Sequence, residues 1–127
     1  MSKDDKSPFY IDMDISTEGL ANLPKEMKSA DLFISVVVNA LVAAGKKRGG
    51  MRMEEHSRLF KVRTELQDAI KTQEEKKAKL EYEDYKFLMK NWNEHTPDPQ
   101  SNELVIRVWE RLKEAQSRHD RNEGAGA

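Results

Sequence analysis

The stretch DLFISVVVNALVAAG, residues 31–45, decides the fold. It carries no charge after Asp31, and Leu32, Phe33, Val36, Val37, Ala40, Leu41 and Ala44 fill more than one stripe of a helical wheel. A helix that is apolar on most of its faces belongs in an interior. The spacing therefore predicts a central helix over Asp31–Ala44, capped by Ser29 or Asp31 and released through a left-handed Gly45. The β-branched run Val36–Val38 would also suit a strand, but the length of the segment and its Ala-Leu-Val-Ala-Ala ending favour helix. The uncharged run Leu32–Gly45 is shorter than the roughly 20 residues that a membrane-spanning helix needs.

Working outward, Lys46–Gly50 forms a basic, glycine-rich turn. Met51 to about Lys77 then reads as a long amphipathic helix, with Leu59, Val62, Leu66 and Ala69 along a narrow seam. A third helix is expected over Glu83–Asn93, with Tyr85, Leu88, Met89 and Trp92 on one face. Thr96-Pro97-Asp98-Pro99 ends it, because proline lacks a donor and restricts the residue before it. Ser101 or Asn102 can cap a fourth helix reaching about Ser117, with Leu104, Val105, Val108, Trp109, Leu112 and Ala115 as its buried face.

Upstream of the central helix, Phe9, Ile11, Met13 and Ile15 alternate with Tyr10, Asp12 and Asp14, the period of a half-buried strand. A lone strand leaves backbone groups without partners. Its mate is either Lys79–Tyr82 or the same strand of a second copy. Ser16–Ser29 is a connector that Leu20, Leu23 and Met27 anchor. Residues 1–7 and 118–127 are polar and are expected to be disordered tails. The expected fold is mainly α: about four helices and a short N-terminal β-strand in a small hairpin-like pair, all within one domain over residues 8–117.

The composition is consistent with this. The chain has 127 residues, 35% of them charged and 37% hydrophobic, with 22 Lys+Arg against 23 Asp+Glu. There is no cysteine, which excludes disulfides, Cys-ligated zinc and a cysteine nucleophile. No apolar signal core follows the charged N-terminus, and the expected location is cytoplasmic, or the virion if the protein is viral.

Chemistry-bearing patterns are few. Residues 46–63 hold seven cations against Glu54 and Glu55, a formal charge of +5 in a chain whose net charge is -1. Gly49-Gly50 ahead of a helix leaves amides open to an anion, so Lys46, Lys47, Arg48, Arg52 and Arg58 are candidate phosphate or nucleic-acid contacts. The alternative is a solvated turn. The near-neutral total charge argues against a dedicated DNA binder, and Gly-Lys-Lys-Arg-Gly-Gly lacks the ending of a nucleotide-binding loop. His56, His95 and His119 stand at no metal-ligand spacing, and no nucleophile motif occurs. The expectation is a non-enzyme with no metal, no cofactor, no small-molecule substrate and no membrane partner. Tyr10, Leu59, Val62, Leu66, Phe87 and Trp92 are the candidate protein contacts, because aromatic and aliphatic anchors dominate such interfaces.

Several short segments carry a resemblance. They are the β leader, Asn39-Ala40-Leu41, the charged helix with Leu66 and Ile70, and Leu80-Glu81-Tyr82-Glu83-Asp84-Tyr85-Lys86-Phe87-Leu88. Val105-Ile106 and Arg111-Leu112-Lys113-Glu114-Ala115 complete the set. Over residues 9–116 this order resembles a group of small, poorly characterised helical proteins of bacteriophages and prophages. The chain departs from them at its basic turn and at Thr96–Pro99. The resemblance implies a viral accessory or virion-associated protein that acts by binding, and it supplies no catalytic residues. The expected function is therefore a non-enzymatic, self-associating interaction protein. The alternative is a nucleic-acid-binding regulator that uses residues 46–63.

Overall fold

The computed structural model describes residues 6–16, 28–94 and 103–121. Strand β1 (Phe9–Ile11) is followed by α1 (Ser29–Lys47), α2 (Met53–Lys71), a 3-10 turn (Glu75–Lys77), β2 (Ala78–Leu80), α3 (Tyr82–Glu94) and α4 (Glu103–Asp120). The fold is mainly helical, with four helices and one short antiparallel strand pair among the described residues, as its hydropathy pattern implies. The proposed anchors Leu20, Leu23 and Met27, the proline stop at Thr96–Pro99 and the caps Ser101 and Asn102 lie outside the described residues.

The strand at Phe9 finds its mate within the chain. Phe9 faces Leu80, Tyr10 faces Lys79 and Ile11 faces Ala78, and the Met13 amide donates to the Glu75 carbonyl at 2.8 Å. Phe9, Ile11, Met13 and Ile15 are all buried, the face that alternation assigned them. β2 ends at Leu80, two residues before the expected Tyr82, which instead opens α3. α2 stops at Lys71, short of Lys77, because Gln73 adopts a positive φ of 59° and turns the chain back towards β2.

α1 packs against α3, α2 and α4, and Phe33, Val37, Ala40, Leu41 and Ala44 are buried. At 19 residues it is long and apolar enough to cross a membrane, unlike its uncharged run alone. Half of that window is nevertheless buried inside the protein, as befits a core helix. No side chain caps its start; the Ser29 hydroxyl donates to Asp14 Oδ1 at 3.3 Å instead.

The helix does not leave through Gly45, which is buried within it. The exit lies four residues later, at Gly49 and Gly50, with φ of 95° and 127°. There the Gly50 amide donates to the Gly45 carbonyl at 2.8 Å and the Gly49 amide to the Lys46 carbonyl at 3.0 Å, a paired closure that satisfies the helix's last carbonyls. Gly45 is needed for a different reason. A Cβ there would lie 2.2 Å from Met51 Cγ. Gly45→Ala is expected to lose about 1–2 kcal/mol from this overpacking, despite alanine's better helix propensity. Gly45→Ala with Met51→Ala should regain that loss in urea denaturation. A single variant more stable than the parent would show that Met51 swings away freely.

The far end departs from the tail expectation over residues 118–120, which continue a helix. α4 runs to Asp120, and His119 stacks on Phe9 with ring centroids 3.9 Å apart. His119 Nε2 also lies 2.9 Å from the Ser7 carbonyl and 3.1 Å from its hydroxyl. Each terminal segment thus supplies what holds the other, a contact 112 residues apart in sequence.

Candidate functional site

The basic segment was the strongest sequence signal, and the structure commits two of its four arginines, Arg48 and Arg58, to ion pairs within the chain. Arg48 Nη1 donates to Asn91 Oδ1 at 2.8 Å and to Glu94 Oε2 at 2.9 Å, and its second arm pairs with Glu55. Hydrogen bonding to Glu94 comes first among the effects that hold the guanidinium in its charged form. The residue clamps the end of α1 to the start of α2 and the end of α3. Lys47 Nζ donates to the Glu94 carbonyl at 3.4 Å.

The start of α2 is also claimed. Glu55 Oε1 accepts from the Arg52 amide at 3.0 Å, and that bond leads the effects holding the Glu55 carboxyl below its usual range. A carboxylate thus sits where an anion would have docked. Lys46 and Arg52 face solvent. Arg48 and Arg58 are each held in ion pairs within the chain.

Arg58 belongs to a second constellation. Its Nη1 donates to Asp84 Oδ1 at 2.8 Å, and Asp84, on the first turn of α3, is 0% exposed. Lys61 Nζ lies 2.8 Å from Glu81 Oε2 and 3.5 Å from Asp84 Oδ2. From α2, Glu65 Oε2 accepts from the Glu81 amide at 3.4 Å. One oxygen each from Glu65, Glu81 and Asp84 lie within 4.8 Å of one another. Local sequence presents Glu81, Glu83 and Asp84 only as an acidic helix start. It has no means of pairing them with Glu65, 16 or more residues upstream.

Burial first, and then the hydrogen bond and charge of Asp84, push the Glu65 carboxyl up to about 8. Burial works against ionised Asp84 too, but the bonds from Glu65 and Arg58 and the charge of Lys61 outweigh it and hold this carboxyl below its ordinary value. Glu65 and Glu81 border a surface groove of ≈290 Å³.

The candidate partner contacts divide. Val62 and Leu66 are fully buried and Trp92 is 6% exposed, with Leu59 and Phe87 packed against the same core. The seam of α2 is filled by β2, α1 and α3 of its own chain, so it is not a free docking stripe. Tyr10 is half-buried. Among the described residues, the large apolar side chains that do face solvent are Met53, Phe60, Ile106 and Trp109. Trp109 was assigned to the core face of α4. That face is held by Val108, Leu112 and Ala115, and Trp109 lies one residue, about 100° of helix, away from it. A wheel drawn on Val108, Leu112 and Ala115 alone would have placed it outside, and one drawn on Val62, Leu66 and Ala69 would have done the same for Phe60.

No family model, curated protein or solved structure matches this chain.

Proposed function

We propose that the protein is a non-enzymatic interaction protein, of the accessory kind its resemblance implies, and that it pairs with a second copy through the outer face of α4. The observation that carries this reading is the exposure of Ile106 (50%) and Trp109 (38%) on one helix face, three residues apart and hence on one side. The charges around them alternate in sign, Glu103 before them, Arg107 between them, and Glu110 and Lys113 after. An antiparallel copy centred between Ile106 and Trp109 can set Glu103 of one chain against Lys113 of the other while Ile106 and Trp109 cover each other across the axis. A two-fold contact requires such self-complementarity. Lys113 Nζ already lies 4.1 Å from the Trp109 ring centroid, which keeps the exposed indole compatible with water in the free chain.

Light scattering or sedimentation across micromolar concentrations tests the reading. A dimer is expected, and Ile106→Ser with Trp109→Ser should weaken it by at least about tenfold, while Met53→Ser with Phe60→Ser leaves it unchanged. A strict monomer at every concentration would refute it.

A second reading rests on the other exposed pair. Met53 (82%) and Phe60 (61%) lie seven residues apart on α2, with the Arg63 guanidinium 5.6 Å from the Phe60 ring centroid and Lys46 and Arg52 exposed nearby in the chain. A positive face repels its own copy but suits a polyanion, and an exposed ring can stack a base. Retardation of DNA or RNA at low salt, steeply weakened by salt and lost in Lys46→Ala with Arg52→Ala, would put this reading ahead of the first. Arg48 is unsuited to that test because it holds three helices together.

A further inference from the structure

We infer that Glu65 and Asp84 share one proton across the contact between α2 and α3, and that this proton makes the docking of α3 on α2 sensitive to pH. The argument begins with two buried oxygens. Glu65 Oε1 and Asp84 Oδ2 are out of contact with solvent, and among the described residues neither accepts a well-formed hydrogen bond, the nearest cation to Asp84 Oδ2 being Lys61 Nζ at 3.5 Å. Ionised carboxylates are acceptors only. Two of them facing each other would leave both oxygens unsatisfied and two like charges close together, each an expense in a desolvated place. Protonating one oxygen turns it into a donor to the other and removes both problems at once, as in other paired carboxyl groups.

The proton resides on Glu65. Asp84 has Arg58 at 2.8 Å on one oxygen and Lys61 at 3.5 Å from the other, so its charge is balanced. Among the described residues, Glu65 has only the Glu81 amide, on Oε2. A neutral Glu65 then uses both oxygens well: Oε2 accepts from Glu81 and Oε1–H donates to Asp84 Oδ2.

A divalent cation is the competing occupant, since three carboxylates converge. The Lys61 ammonium, between Glu81 and Asp84, already supplies positive charge there. With Arg58, it balances Glu81 and Asp84, and the surplus carboxyl needs only a proton. The other charged groups near Glu65 are exposed. They are Asp68 on α2, Glu74 and Lys77 around the 3-10 turn, Lys79 on β2 and Glu83 on α3. Water screens their fields.

The sign follows from the direction of the shift. Glu65 titrates higher in the folded chain, about 8, than the ordinary 4.5. The folded form thus binds the proton more tightly. The stabilisation is fully present below the ordinary value and is lost as pH rises through about 8. Asp84, held low, acts oppositely and withdraws its support only in acid.

The test is thermal unfolding from pH 6 to pH 9 of the whole chain and of Glu65→Gln. The amide N–H of glutamine donates to Asp84 permanently and its carbonyl still accepts from Glu81. The midpoint of the parent should fall across this range and that of Glu65→Gln should stay nearly flat. Equal slopes in the two proteins would overturn the proposal. A carbon-13 titration of the Glu65 carboxyl in the parent chain decides the matter without any variant: protonation retained at pH 7 is expected, and an ionised Glu65 there would refute it. Stabilisation of the parent by manganese or calcium at pH 9, absent in Glu65→Gln, would also overturn it, by showing that the cluster takes a metal in place of the proton.

Discussion

Phe9→Ala is expected to cost about 3–5 kcal/mol, the range for deleting a buried aromatic ring and a large share of a single domain's stability. Phe9 is 1% exposed and lies between two rings: Tyr85, stacked at 3.8 Å with an interplanar angle of 9°, and His119 at 3.9 Å. It also faces Leu80 across the strand pair. One ring therefore joins β1, β2, α3 and the end of α4. Tyr85 cannot move to fill the space, because its hydroxyl donates to the Leu112 carbonyl at 2.6 Å, in a site whose burial raises the phenol pKa well above its ordinary value. Urea denaturation should show the loss, and hydrogen exchange should show the last turn of α4 opening first. A cost below about 1.5 kcal/mol would mean that Phe9 packs less centrally than its burial indicates.

Asp84→Ala is expected to destabilise by about 3 kcal/mol, the lower end for breaking a buried ion pair. The lower end applies because the side chains of Arg58 and Lys61 are 40% and 47% exposed and can turn to water once their partner is gone. The remaining cost falls on Glu65, which loses its acceptor. Asp84→Asn, which keeps an oxygen for Arg58, should lose less. In both variants the Glu65 carboxyl loses the neighbouring negative charge that helps hold it high, so the fall in stability from pH 6 to pH 9 should shrink. Urea midpoints at the two pH values check both statements. An Asp84→Ala protein as stable as its parent would show that the buried carboxylate contributes only charge balance.

The two variants probe different depths of legibility. The surroundings of Phe9 were half readable. Its burial followed from the alternation Phe9, Ile11, Met13, Ile15, and its mate was correctly sought near Leu80. The His119 stack was not readable, because the polar run after Ser117 carries no apolar periodicity. Asp84 was readable only as an acid at a helix start. Its burial depends on Arg58 and Lys61, 26 and 23 residues earlier in the chain, and no local pattern signals a pair so distant. The basic segment was legible only in part for the same reason: composition counts the charges of Arg48 and Arg58 but does not show the Glu94, Glu55 and Asp84 oxygens that pair with them.

The amino-acid order by itself determined which segments coil, which one extends and which stripe of each turns inward. These are consequences of backbone geometry and of water's rejection of apolar side chains, and both act over a few residues. Only the tertiary structure decided which charges are spent and which rings remain exposed. A salt bridge or a stacked pair forms between elements, and its partners are chosen by how the helices dock. That is why the α2 seam became core, while Phe60 and Trp109, one position off their buried stripes, were left facing water.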